Sequence, residues 1–338
     1  MSPAGIEELV DVLASASAAR RRVAIWGGGT HRAIGHDVVP DLIVSTAAMI
    51  GVEDWQPDDL TVVVKAGTPV ADLETQLGTG GQTAVLPERA GQATVGGVVA
   101  TATSGFRRLR YGPTRDRVLE VRAVTGDGRV VKGGGRVVKN VSGYDLPRLF
   151  TGSLGSLGVI TSVCLKLWPL TEATATAQVA APTAAEEVHR PLAILESRQG
   201  VSVLLAGTGP EVDDQVRRLG GDFSTGLDYP APLRGEAIWS IRVPPSSLGD
   251  AVSRIPAGSD FVAQHGVGVV DFGVGAAFDV SDLREWAESR AGAVVRLAGA
   301  PSADPWGTAP PGLALQRRVV EAFDPVRILE PGRLPGRI

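Results

Sequence analysis

A single cysteine among 338 residues excludes two large classes of protein. Cys164 stands inside the apolar run VITSVCLKLW, so the chain cannot assemble a disulfide framework or a thiolate-ligated iron–sulfur cluster. The expectation is a buried, inert thiol. No apolar stretch reaches the roughly 18 residues that a membrane-crossing helix needs. The opening segment MSPAGIEELVDVLASASAARRR places Ile6, Leu9, Val10 and Leu13 at helical spacing, interrupted by Glu7, Glu8 and Asp11, and lacks a charged-then-apolar signal arrangement. A cytoplasmic chain without a membrane span is expected. Basic runs are missing too. The formal net charge of -4 comes from mixed signs along the whole length, and no aromatic–basic interleaving tracks a phosphodiester backbone, so nucleic acid is not an expected partner. Low-complexity tracts and repeats of fixed period are likewise lacking.

Two nucleotide signatures are also missing. The pattern G-x-x-x-x-G-K-[ST] does not occur, and the G-x-G-x-x-G fingerprint fails after Gly29 because Arg32 occupies the third position beyond it. Glycine itself is abundant, and it clusters. Between Gly91 and Trp168 it recurs as Gly96-Gly97, Gly105, Gly112, Gly143, Gly152, Gly155 and Gly158, beside small polar residues, a pattern suited to a cofactor wrapped by main chain.

The length calls for two cores, or one with a large insertion. After the first helix, Val23 to Trp26 reads as a strand ended by Gly27-Gly28-Gly29-Thr30. Further strand signals are Asp41 to Val44, Val62 to Val64, and Leu119 to Val124, which turns through Gly126-Asp127-Gly128 into Val130-Val131 as a hairpin. Pro69 to Leu77 reads as a helix with Thr68 as N-cap and Pro69 at its first position. Beyond Trp168-Pro169 the dense glycine clusters stop. Helices are expected at Ala184 to Leu195, Val212 to Leu219, Leu248 to Ile255 and Ser281 to Arg290. Strands are expected at Val201 to Leu205, Ile238 to Val243, Phe261 to Gln264, Val267 to Phe272 and Ala293 to Leu297. Such interleaving suggests a mixed or antiparallel sheet covered by helices. A proline-rich linker, the helix Leu313 to Phe323 and a short tail end the chain.

Two loops stand out chemically. Successive amides in Gly27-Gly28-Gly29-Thr30-His31 would form an anion-binding nest, although three glycines before a threonine also make an ordinary tight turn. In Ala93-Thr94-Val95-Gly96-Gly97, Thr94 can cap a helix whose partly positive start suits a second phosphate wall; close packing of a glycine-flexed helix on a sheet is the plainer alternative. Together they favour a dinucleotide.

The segments ATVGG, SGFRRLRYG, TGDGRVVKGGGRVVKNVSGYDLPRLF and TGSLGSLGVIT closely resemble the FAD-binding (E) subunits of bacterial glycolate oxidases, within the vanillyl-alcohol oxidase, or PCMH-type, flavoprotein superfamily. GGGTHRAIG and FDPVRILEPGR resemble it more weakly. The resemblance implies an α+β fold: a PCMH-type FAD-binding domain of two α+β subdomains over residues 1–170, a smaller mixed or antiparallel-sheet cap domain over 171–300, and a linker, helix and tail over 301–338 returning to the first. It implies that Gly27, Gly28, Gly29 and Thr30 hold the pyrophosphate, with His31 beside them. Thr94, Gly96 and Gly97 would form the second wall. Ser104, Gly105 and Gly112 would line the flavin side, Gly158, Val159 and Ile160 would meet the adenine or ring edge, and Pro87 and Thr101 are further cofactor-binding candidates. Relatives that link FAD covalently use a histidine where Thr30 stands, so non-covalent FAD is expected.

No catalytic base is evident, and no metal site is expected; Arg107, Arg108, Lys139, Asn140 and Tyr144 are weak catalytic candidates. Arg107, Arg108 and Arg110 could pair with a carboxylate or form a solvated basic loop. Tyr144 and Asp145 could face the flavin or satisfy buried backbone. The implied activity is FAD-dependent oxidation of a CH–OH group in a small 2-hydroxy acid such as glycolate or lactate. A sister FAD-linked catalytic subunit and an iron–sulfur subunit would be partners, with attachment to the inner membrane face only through them. A stand-alone FAD-linked oxidase and a non-catalytic flavin-binding assembly subunit are the alternatives.

Overall fold

The computed structural model describes residues 1–88, 91–136, 143–299 and 302–338. In chain order its first elements are α1 (Ile6–Ala18), β1 (Val23–Trp26), β2 (Leu42–Ser45), β3 (Val52–Gln56), β4 (Thr61–Lys65), α2 (Val70–Gly78), β5 (Gln82–Thr83), α3 (Val95–Thr101) and α4 (Arg108–Tyr111). Then come β6 (Val118–Val124), β7 (Val130–Gly134), α5 (Leu146–Phe150), β8 (Val159–Lys166) and β9 (Trp168–Pro169). The remainder comprises β10 (Ala173–Val179), β11 (Ala193–Ser197), β12 (Gly200–Gly207), α6 (Gly209–Leu219), β13 (Phe223–Thr225), β14 (Ala237–Arg242), α7 (Leu248–Ser253), β15 (Phe261–Gln264), β16 (Val269–Val274), α8 (Ser281–Glu288), β17 (Ala293–Ala298) and α9 (Leu313–Phe323).

The chain divides into two units. The first holds Met1–Gly105, Pro113–Leu170 and Ala309–Ile338; the second holds Phe106–Gly112 and Thr171–Thr308. Phe106–Gly112, read from sequence as part of the 1–170 domain, therefore packs with the second unit. Phe106 stacks on Tyr229 with ring centroids 5.7 Å apart, and Arg110 Nη1 donates to the Ala206 carbonyl at 2.7 Å.

In the first unit the order β3-β4-β8-β6-β7 forms an antiparallel sheet. Central β8 has neighbours on both edges and is buried from Val159 to Leu165, which is why its sequence is a continuous apolar run rather than an alternating one. Helix α2 buries Val70, Leu73 and Leu77 in the same core. A second core lies under α1, where Leu9, Leu13 and Ala16 meet Val23, Val44, Val124, Val159, Ile328 and Leu329. This explains the helical spacing at the start of the chain: a face one residue in three or four wide is enough to bury Leu9 and Leu13. The parallel pair β1–β2 belongs to this second core.

The second unit is built on one eight-stranded antiparallel sheet, β13-β10-β12-β11-β15-β16-β14-β17. Trp239, Ile241, Val270 and Phe272 from the sheet pack with Leu283, Trp286 and Ala287 of α8. One expected element is wrong. The helix placed at Ala184 to Leu195 is instead a short 3-10 turn, Pro182–Glu187, followed by β11. His189 consequently lies outside any helix. Arg190, at φ 49°, and Pro191 interrupt helical geometry, and the apolar run Leu192 to Leu195 is drawn between the edges of β12 and β15. Thr68 also departs from expectation: Pro69 is the N-cap of α2, and the Thr68 hydroxyl accepts from the Gly51 amide at 2.9 Å instead.

Candidate functional site

The turn after β1 and the approach to α3 meet in the first unit. A Cβ on Gly27 would overlap the Thr94 hydroxyl, and one on Gly28 would overlap the Gln92 carbonyl oxygen. Gly28 thus allows one main chain to lie against another, and Gly27 makes room for the Thr94 side chain. Thr94 is the N-cap of α3, and its hydroxyl accepts from the Gly97 amide at 3.3 Å, which satisfies one of the unpaired donors of the first turn. Gly96 is buried against the sheet, where a Cβ would stand 2.6 Å from that of Ala66.

The two loops bound a narrow cleft of about 70 Å³. Gly27, Gly28, Gly29, Thr30, His31, Thr94, Gly96, Gly97 and Thr101 all line it, as do Gly158 and Ile160 from the start of β8. Gly29 and Gly97 differ from the other glycines. A Cβ on Gly29 would meet nothing within 4 Å, and one on Gly97 would meet only the Thr94 hydroxyl, at 3.2 Å. Their missing side chains therefore leave room in the cleft itself.

The remaining sequence candidates are not brought to this wall. Val159 turns into the core under α1. Pro87 lies off the cleft, the Ser104 hydroxyl accepts from the Thr114 amide at 3.0 Å, and Gly105 packs against the Glu88 carboxylate. Gly112, Arg107 and Arg108 belong to the second unit. Tyr144 is 88% exposed, while the Asp145 side chain caps α5 by accepting from the Arg148 amide at 3.1 Å. Lys139 and Asn140 lie outside the described residues.

Gly155, one of the glycines of the clustered stretch, lines the cleft too, and sequence reasoning missed Trp26, Arg32, Leu154 and Arg333. The Arg32 guanidinium lies 4.0 Å from the centroid of the Trp26 ring. Arg333 comes from the tail. Its Nε donates to the Ile34 carbonyl and its Nη2 to the His31 carbonyl, both at 3.1 Å, and its Nη1 is 3.2 Å from Glu330 Oε1. Two cations beside the glycine turn make the cleft suited to an anion. Burial, helped by the Arg333 charge, lowers the His31 pKa below its ordinary value.

Glu330 is buried, with 3% of its side chain exposed, and burial raises its pKa above the usual carboxylate range despite Arg333. A carboxyl whose folded pKa is raised favours the fold most when protonated. Its contribution is greatest below the ordinary value near 4.3 and is lost as pH rises through the raised folded value. Glu330→Gln is therefore expected to raise the thermal midpoint relative to the parent increasingly as pH climbs above the ordinary carboxyl value; a difference that stays constant with pH would contradict the assignment.

Residues 1–134 match the family model described as an FAD binding domain. The chain is 39% identical over 121 residues to glycolate oxidase subunit GlcE of Escherichia coli (strain K12), covering 35% of each protein. It is 34% identical over 172 residues to a D-lactate dehydrogenase of Archaeoglobus fulgidus, covering 50% of this chain and 38% of that one. These matches span little more than a third of either relative's length. Among solved structures, an alkyldihydroxyacetonephosphate synthase superposes with a TM-score of 0.67 at 14% identity, over 98% of this chain and 76% of that one. That likeness shows the fold, the α+β, vanillyl-alcohol oxidase-like (PCMH-type) arrangement. No helix among the described residues is long and apolar enough to cross a membrane.

Proposed function

We propose that this chain, whose residues 1–134 match the FAD binding domain model, is the FAD-holding subunit of a glycolate oxidase-type 2-hydroxyacid dehydrogenase. The observation that carries the reading is the meeting of two glycine loops around one cleft, with Gly29 facing open space and Gly97 meeting only the Thr94 hydroxyl. Both glycines line the cleft, and the charged groups of its lining, Arg32 and Arg333, are cationic. The residues present fit the diphosphate of a dinucleotide.

When bound, FAD supplies a two-electron acceptor for oxidation of a carbon bearing hydrogen and hydroxyl. The chain's own residues bind and orient. Amides in the Gly27 to Thr30 turn would hold the diphosphate, while those at the start of α3 donate to Thr68, Ala66 and Thr94 and fix the opposite wall. Thr30 replaces the histidine through which covalent relatives attach FAD, so the cofactor is held without a covalent bond. His31, hydrogen-bonded to the Thr30 hydroxyl at 2.9 Å, is kept neutral at pH 7 by burial and Arg333.

The cleft lining includes no carboxylate and no tyrosine among the described residues. This favours a division of labour in which a sister FAD-linked subunit oxidises the hydroxy acid and an iron–sulfur subunit takes the electrons. Anaerobic mixing with glycolate or D-lactate tests it. Flavin in the isolated chain should stay oxidised, and bleaching should follow when both partner subunits are present. Rapid bleaching of the isolated chain would overturn the reading in favour of a stand-alone oxidase, and none in the complex would leave an assembly role.

A further inference from the structure

The C-terminal tail is woven into the wall of the cleft rather than laid over it. Past α9 the chain returns beside β1: the Val23 amide donates to the Ile328 carbonyl at 2.7 Å, and the Glu330 amide donates to the Val23 carbonyl at 2.9 Å. At Glu330 the backbone turns to a positive φ of 44°, and the side chain takes over the ladder by accepting from the Ile25 amide at 2.7 Å. A carboxylate is thus fixed at the end of β1, immediately before the glycine turn. Three residues later it meets Arg333.

Arg333 organises the far side of the same turn. Besides its bonds to the His31 and Ile34 carbonyls, its own carbonyl accepts from the His36 amide at 3.0 Å. One buried guanidinium therefore fixes the segment from His31 to His36 while contributing to the cleft wall. Buried cations are kept when polar groups satisfy them, and here the Ile34 and His31 carbonyls and the Glu330 carboxyl do so. The charge is held in place before any ligand arrives, and the wall it belongs to is otherwise built largely of glycine and apolar side chains.

We infer that Arg333 is a phosphate-recognition residue, delivered by the C-terminal tail and positioned by Glu330, for the diphosphate of the dinucleotide. The inference rests on the reading of the cleft as an FAD site. The tail is then part of the cofactor site, and the cofactor in turn fastens the tail to β1. Charge-assisted hydrogen bonds to a diphosphate are among the stronger polar contacts, and their loss corresponds to roughly a 10- to 100-fold weaker dissociation constant.

The test measures binding of FAD, ADP and riboflavin to the full, flavin-stripped chain and to Arg333→Met and Arg333→Lys. ADP carries the diphosphate without the flavin, and riboflavin the reverse. Arg333→Met should weaken FAD and ADP by about 10-fold or more and leave riboflavin unchanged, with Arg333→Lys intermediate. Equal weakening of all three ligands, or none, would overturn the inference and leave Arg333 as a structural tie. Where Arg333→Met does not fold, Arg333→Lys decides: affinity for FAD and ADP should fall together while that for riboflavin holds, and an unchanged ADP affinity would refute the role. A parent chain that binds neither FAD nor ADP would overturn the FAD reading itself, an outcome distinct from failure of the arginine alone.

Discussion

Gly96→Val is expected to cost the chain at least about 2 kcal/mol of stability, because the added side chain must enter a contact already closed. A Cβ at that position would lie 2.6 Å from the Ala66 Cβ and 3.0 Å from the Ala66 carbonyl oxygen, and the Gly96 amide donates to that same carbonyl at 2.8 Å. Neither neighbour is the end of a flexible side chain, so helix α3 would have to lift from β4 and β8. Val95, Val98 and Val99, all buried on the same helix, would move with it. Urea unfolding checks this: a midpoint within experimental scatter of the parent would mean that the helix does not pack on the sheet as described.

Gly97→Val, one residue along, is expected to do the opposite. Gly97 is only half-buried, and a side chain there would point into the cleft past the Thr94 hydroxyl. Replacing a helical glycine restricts the unfolded chain, so stability should stay within about 1 kcal/mol of the parent. Affinity for FAD should fall by about 100-fold, the size of effect that overpacking a closed contact by up to 3 kcal/mol would produce. Unfolding midpoint and flavin content measured on the same preparations separate the two variants. Full flavin content in Gly97→Val would count against placing FAD along this wall.

The adjacent pair also shows how far the sequence could be read. Two consecutive glycines at a helix start announce that something comes close, and sequence cannot say on which side. Burial divides them: Gly96 answers to Ala66, and Gly97 to the cleft. The same division holds in the first loop, where Gly27 and Gly28 make room for residues 92–94 and Gly29 faces open space. Local signals carried Thr94 as N-cap, the β6–β7 hairpin and the apolar face of α1, because a cap, a glycine turn and helical spacing each act within a few residues. The run from Pro191 to Leu195 was misread because a short apolar segment suits a buried helix or strand equally well, and the choice fell to β12 and β15. Arg333 escaped notice for a different reason. Its role depends on contacts with residues about 300 positions earlier, which no local pattern records. The one hint was the weaker resemblance of FDPVRILEPGR, which ends on Arg333.

The central claim, that the first unit holds FAD without a covalent bond in the cleft between its two glycine loops, is most directly tested by acid precipitation of the purified chain after saturation with FAD and removal of the excess. The account predicts a colourless pellet and intact FAD in the supernatant, in a 1:1 ratio to protein at about one cofactor per cleft. A pellet that stays yellow, or a chain that carries no flavin through purification, would contradict it.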